Sequence, residues 1–382
     1  MMIETTKDGL VFTSDYEGGS LDRAVRCGKN YYSLLLRPDS WYYFNFHVTG
    51  CKDLELVFQF CARELSSDPP AVFHEGGLRW RAADGALIKP VYSYDGKTWH
   101  QVDSMLKAGG VKGSYIFRQR FTENEVYIGY SSTYLYSDLQ AYLARLSQNS
   151  LVQISSVGST RCGVDMPLVT ITRNPQVKDT ILFISREDSD EIVSSYAAEG
   201  MLDFLISGDP DAEWLLERYI FRMVPMVSID GVMAGCVHSA GYGYGGSRWN
   251  DPVSPRELEN IKDYARKLAA SGQRIVFAAQ MHSAQTMDRT LKDCYDGHEI
   301  DFYTHNEPLY KTLLTHTTEY WNPYPNACTL EMSAVGFFNR FLIDNFNVND
   351  CFCTHVQGSN PDEGRFCGRD LLRAVIAYLR QS

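Results

Sequence analysis

The chain has 382 residues, 36 basic and 47 acidic, for a formal charge of -11. That length holds two domains with cores of their own, and 44% hydrophobic with 22% charged residues excludes a disordered chain. The acidic balance argues against nucleic acid or an anionic membrane as partner, and no run approaches the roughly 18 apolar residues of a membrane span.

At the N-terminus, MMIETTKDGL carries neither the basic region nor the apolar stretch of a signal peptide. Ten cysteines lie scattered along the chain, and without an export signal they read as reduced thiols of a cytoplasmic protein. Residues 40–48 and 53–60 are aromatic-rich and partly alternating, so they predict strands. Further strands are expected at 90–94, 114–121 and 126–131, and the turn signals between them favour an antiparallel β-sandwich. The pattern changes at Ser137 and Gln140, a capping-box pair opening a helix with Leu139, Tyr142, Leu143 and Leu146 on one face. Beyond it, strands at 151–156, 167–173, 179–185, 220–227, 274–280 and 327–333 alternate with helices at 191–207, 210–218, 255–271, 307–319 and 366–380. Ser254 and Glu257, with Pro255 between them, make a second capping box. The reading is a β-sandwich domain over 1–147, then an α/β domain over 148–382 with a mixed, mostly parallel sheet covered by helices. Residues 1–150 carry 16 basic and 17 acidic side chains while residues 151–382 carry 20 and 30, so the negative charge belongs to the second domain.

No glycine-rich dinucleotide loop, phosphate loop, paired CxxC or serine-hydrolase elbow is present. What remains is polar residues at strand ends, where open α/β sheets gather ligands. Glu187, Asp188, Asp190 and Glu191 follow the strand 179–185 and open a helix. As ordinary helix N-terminal acids each gains about 0.3–1 kcal/mol from the helix dipole, but four together repel, and a cation relieves them. Asp188 and Glu191, three residues apart, reach a single ion. His282 ends the strand 274–280, and Glu331 sits inside an apolar strand, where a buried carboxylate needs a partner or a task. Arg248-Trp249 follows a loop containing Gly241, Gly243, Gly245 and Gly246. Cys351, Cys353 and His355 share one strand face, either as core thiols or as a second metal site. His298, His305 and His316 read as surface residues.

The order of these signals, an acidic DxxE, then Pro225-Met226 and Asp230-Gly231-Val232, then Arg248-Trp249, His282 and Thr329-Leu330-Glu331, resembles the zinc metallocarboxypeptidases. The branch it is most similar to is the cytosolic carboxypeptidases, which shorten C-terminal or side-chain glutamate. Leu35–Asp39 with Trp41–Phe44, and Val126–Tyr130 with Tyr134–Leu139, resemble that branch's sandwich and its junction to the catalytic domain.

The resemblance implies one zinc ion held by Asp188, Glu191 and His282, with Asp188 standing where the family has His. An alternative register uses Glu187 and Asp190. It implies Glu331 as the proton-transfer residue, His238 in place of an oxyanion arginine, and Arg248 with Ser247 in place of the Arg-Asn pair that grips the substrate's terminal carboxylate. With two carboxylates at the metal, manganese or another divalent ion competes better against zinc than at a two-His site. The implied activity is hydrolysis of a peptide or amide bond beside a terminal carboxylate, on a peptide or protein C-terminus or a glutamyl-type substrate. The alternative is an inactive homologue that binds acidic C-termini.

Overall fold

The computed structural model describes residues 2–5, 9–37, 40, 43–61, 89–107, 114–237, 248–283, 308–309, 312, 338–356 and 360–381. The chain divides into two compact units, Met1–Leu135 with Gly231–Gly241, and Tyr136–Asp230 with Tyr242–Ser382. The expected boundary after residue 147 thus moves to before Tyr136, and the second unit is interrupted by a short piece belonging to the first.

The first unit contains β1 (Met2–Thr5), β2 (Val11–Thr13), β3 (Arg23–Gly28), β4 (Tyr31–Leu35), β5 (Asn45–Thr49) and β6 (Glu55–Cys61). It continues with β7 (Val91–Ser93), β8 (His100–Gln101), β9 (Ser104–Lys107), β10 (Ser114–Arg120) and β11 (Glu125–Gly129). One sheet has the order β1-β2-β5-β11-β7-β8 and the other β3-β4-β6-β10-β9. Period-two alternation sends Phe46 and Val48 from the first sheet, and Phe58, Phe60, Tyr115 and Phe117 from the second, into one buried cluster. The Phe58 and Phe117 rings meet with centroids 5.0 Å apart. The pairing is antiparallel except between β4 and β6, which run parallel, a departure from the all-antiparallel expectation. Gly231–Gly241 is tied in by Arg37, whose Nη1 donates to the Ala234 carbonyl at 2.6 Å, and by Val237, which lies in the aromatic core.

The second unit opens with α1 (Tyr136–Leu146), which buries Leu139, Tyr142, Leu143 and Leu146, the face its periodicity predicts. Its strands are β12 (Val152–Ser159), β13 (Asp165–Ile171), β14 (Asp179–Ser185), β15 (Ile220–Val224), β16 (Arg274–Ser283) and β17 (Cys351–Val356). Its further helices are α2 (Ile192–Leu205), α3 (Pro210–Arg218), α4 (Ile229–Ala234, running into the first unit), α5 (Arg256–Ala270), α6 (Phe338–Phe346) and α7 (Pro361–Leu379). The sheet order is β12-β13-β15-β14-β16-β17. β15, β14, β16 and β17 run parallel, while β12 and β13 are antiparallel additions at one edge. α2 and α7 pack at glycine distance: a Cβ on Gly200 would sit 1.9 Å from the Arg365 carbonyl oxygen, and one on Gly368 at 1.9 Å from that of Ala197.

The capping box at Ser254 does not form. α5 begins after Pro255 with no side-chain cap, because the Ser254 hydroxyl bonds the Arg248 carbonyl and accepts from the buried Lys262 ammonium. The strand expected at 327–333 lies outside the described residues, as does almost all of the helix expected at 307–319. Among the described residues no helix is long and apolar enough to cross a membrane.

Candidate metal centre and its surroundings

β14 is the strand from which connections diverge: the chain leaves it for β15 on one side and returns on the other as β16. Such a switch point leaves a crevice beyond the strand's C-terminal end. The parallel register pairs Ile184 with Gln280 and Ser185 with Met281, so residues just beyond β14 meet the last residues of β16. The turn is held open-ended by backbone bonds from Val227 N to the Ser185 carbonyl and from Ser228 N to that of Arg186. Arg186 takes a left-handed φ of 57°, rare for a residue with a Cβ. Its buried guanidinium curls onto the Ser189 carbonyl and the Ser195 hydroxyl, bracing the loop that follows.

That loop carries Glu187, Asp188, Asp190 and Glu191, all buried. None lies in the first turn of α2, and Glu191, its N-cap, makes no capping bond. Its Oε2 instead lies 2.8 Å from His282 Nδ1 and accepts from Ser283 N at 3.1 Å. Asp188 Oδ2 is 3.6 Å from the same ring nitrogen. Asp188 and Glu191 are therefore turned toward His282, and the helix dipole does not account for them. Asp188, Glu191 and His282 each offer a ligand atom within 4.8 Å of the others, the one such group among the described residues.

Burial dominates the electrostatics. Glu187, desolvated and beside Asp188, is pushed up to about 7 against the opposing pull of His282 and the hydrogen bonds from Trp249 and Gln280. Glu191 is raised by burial, with the Asp188 and Asp190 charges adding to it and His282 opposing. Burial alone would lower His282, but the Glu191 carboxylate carries it well above its ordinary value, helped by hydrogen bonds to Asp188 and Cys353. The cluster thus retains protons that separate, solvated groups would release. A divalent cation would replace those protons: two carboxylate oxygens from the loop after β14 and one imidazole nitrogen at the end of β16 are accepted donors for zinc at about 2.0–2.2 Å. The residues fit such an ion, and oxygen donors in the majority suit manganese as well.

Of the other residues singled out from sequence, Glu331, His238 and Ser247 lie outside the described residues, as do His298, His305 and His316. Arg248 is partly exposed and hydrogen-bonds Asp251 Oδ2 through Nε at 3.0 Å and the Val253 carbonyl through Nη2 at 3.4 Å. The alternative register through Glu187 and Asp190 is not the one grouped with His282. Of the second metal site expected on β17, the His355 side chain lies outside the described residues; the Cys351 thiol bonds the Val348 and Asn339 carbonyls, while Cys353 hydrogen-bonds His282.

Sequence reasoning missed the surroundings of Glu187. Both its oxygens accept from Trp249 Nε1, at 3.1 and 3.3 Å, and Oε2 also accepts from the Gln280 amide. It missed Arg186 too, and the bond between Cys353 and His282. Gln280 was findable in principle, since a β16 paired with β14 brings it opposite Ile184. Trp249 was not, for nothing in its neighbourhood marks it as buried.

Residues 139–240 match the zinc carboxypeptidase family model. Cytosolic carboxypeptidase 1 of Danio rerio is 27% identical over 269 residues, covering 60% of this chain and 22% of that protein. Its Homo sapiens counterpart is 28% identical, over 60% of this chain and 21% of its own length. Cytosolic carboxypeptidase 2 of Mus musculus is 27% identical over 59% and 28%. The chain therefore spans only 21–28% of the length of these curated relatives. The fold is similar to that of a metallo-carboxypeptidase from Burkholderia cenocepacia, with a TM-score of 0.75 at 18% identity, covering 97% of this chain and 99% of that one. A metallo-carboxypeptidase from Pseudomonas aeruginosa gives 0.74 at 15% identity, over 97% and 99%. The ordered signals of the sequence, the matched segment and the shared fold agree: residues 139–240 are similar to the zinc carboxypeptidase family, the curated relatives are cytosolic carboxypeptidases, and the fold is that of a metallo-carboxypeptidase.

Proposed function

We propose that the chain is a metal-dependent carboxypeptidase of the cytoplasm, holding one divalent ion through Asp188, Glu191 and His282 and hydrolysing the peptide or amide bond next to a terminal carboxylate. Its relatives' names support the cytosolic setting and the carboxypeptidase class. The observation that carries the reading is the buried convergence of Asp188, Glu191 and His282, whose ligand atoms lie close enough together to share one cation.

Zinc, or manganese in its place, would supply Lewis-acid polarisation of the scissile carbonyl and a more acidic water. The remaining work falls to the chain. Arg248, with Ser247 beside it, grips the substrate carboxylate through guanidinium hydrogen bonds. Glu331 takes a proton from the attacking water and delivers it to the departing amine. His238 donates to the carbonyl oxygen as charge gathers there, a contribution present only while its ring offers a proton. The substrate class this implies is a peptide or protein C-terminus, with glutamyl substrates the first to try.

The test is metal analysis of the purified chain together with hydrolysis of peptides ending in glutamate. The expected result is about one ion per chain and cleavage from the C-terminus, with Glu331→Gln lowering turnover by at least about 10²-fold at unchanged metal content. A chain that stays metal-free after incubation with zinc and manganese overturns the reading. A chain that binds metal and acid-ended peptides but cleaves none is the inactive homologue instead.

A further inference from the structure

We propose that Glu187 is a positioning residue for substrate: it accepts the Trp249 indole N–H and thereby fixes the adjacent Arg248 at the place where the terminal carboxylate is held. The inference rests on the proposed role of Arg248. It assigns to Glu187 a task separate from metal binding, although Glu187 is the immediate neighbour of Asp188.

Three segments far apart in sequence meet at this one carboxylate. Glu187 stands at the exit of β14, Gln280 is on β16, and Trp249 comes from the loop before α5. Trp249 is wholly buried, its ring 4.8 Å from that of Phe338 and 6.0 Å from that of Phe341. The aromatic contacts hold the ring in its slot. They leave its rotation about that slot to the one polar atom it has, Nε1, and Nε1 is bonded to Glu187. The next residue along, one Cα step of about 3.8 Å away, is Arg248. Its guanidinium hydrogen-bonds Asp251 and the Val253 carbonyl. A buried anchor under a partly exposed guanidinium is the arrangement that lets a long side chain bind a carboxylate without first losing its own freedom. The acid serves this purpose through an accepting oxygen, so the amide of glutamine can serve in its place. The Gln280 Oε1, buried and without a hydrogen-bond partner among the described residues, can accept from such an amide once the Gln280 side chain flips.

The experiment measures binding of two labelled peptides, one ending in a free glutamate and its C-terminally amidated twin, in the Glu331→Gln background so that neither is consumed. Melting temperature and metal content are recorded for each variant. Trp249→Phe keeps an aromatic ring in the Phe338–Phe341 slot and removes the N–H. It is expected to weaken the acid-ended peptide about tenfold, the scale of one hydrogen bond to a charged group, and to leave the amidated peptide and the metal content unchanged. Glu187→Gln is expected to retain most of the preference for the acid. Unchanged discrimination in Trp249→Phe overturns the proposal, and so does equal weakening of both peptides, which would mark a packing role only. Discrimination lost in Glu187→Gln but kept in Trp249→Phe also overturns it. If the parent protein itself does not distinguish acid from amide, the role of Arg248 falls, and the positioning role with it.

Discussion

At the scale of single residues, the loop 186–191 shows why a cluster of acids near a helix start is ambiguous on paper. Spacing placed Asp188 and Glu191 within reach of one ion. It could not show that Glu191 turns away from the helix it begins and toward His282, because that depends on a strand arriving 91 residues later. The consequence is measurable in the metal-free protein. Burial raises Glu187 to about 7 and raises Glu191, while the Glu191 carboxylate raises His282, so the folded chain binds protons that the unfolded chain releases. Stability from these groups is complete below their unfolded pKa values, near 4.5 for the acids and 6.5 for the imidazole, and is lost as pH rises through the folded values. In chelator, the melting temperature is expected to fall between pH 5 and pH 8, with zinc removing most of the slope; a flat profile in chelator would contradict the burial argument. Arg248 carries a second prediction. On the proposed role of Arg248, its exposed pairing with Asp251 at 3.0 Å, a type worth about 0.2–1 kcal/mol, competes with a substrate carboxylate. Asp251→Asn is expected to lower KM, or the dissociation constant for an acid-ended peptide, about two- to fivefold, the upper end of that range.

Elements were legible where one face repeats cleanly. The buried stripe of α1 and the apolar run of β14 stood out because burial follows periodicity there. β3 did not stand out, since five of its six residues are exposed or half-buried and its alternation disappears. Ser254 fits a helix-start pattern, but a buried lysine claims its hydroxyl, and local pattern yields to a tertiary partner. The pairing of α2 with α7 belongs to the same class of hidden feature. Gly364 and Gly368, four apart on α7, and Gly200 on α2 let the two backbones approach, and only the packed structure shows that these glycines are spacers. Gly368→Ala places a methyl group 1.9 Å from the Ala197 carbonyl oxygen, so the helices must separate. The expected cost is about 1–3 kcal/mol, the range for an overpacked core, read by denaturant unfolding. Since α2 begins at the N-cap Glu191, metal affinity is expected to drop in the same variant.

For the molecule as a whole, the two-unit plan was readable from the change of periodicity near residue 137, but the crossing of the chain was not. Gly231–Gly241 belongs to the sandwich although sequence order puts it deep in the other unit. Val237, almost wholly buried among aromatic rings, is expected to cost the sandwich about 1–3 kcal/mol when changed to Ala, and a fragment ending at Leu135 to melt below the intact first unit. Differential scanning calorimetry of the variant and the fragment against the full chain reads both effects. The register of β14 against β16 has a further result in time. Its partners are non-local, and loops of that length close late, because the entropy of closure is met before any contact rewards it. During synthesis the carboxylates of residues 187–191 emerge well before His282, and no ligand set exists until β16 has docked. On the proposed ligand set, metal capture is therefore a completion signal: a nascent or truncated chain presents the acids without the imidazole, and only a chain that has closed its sheet can acquire the ion.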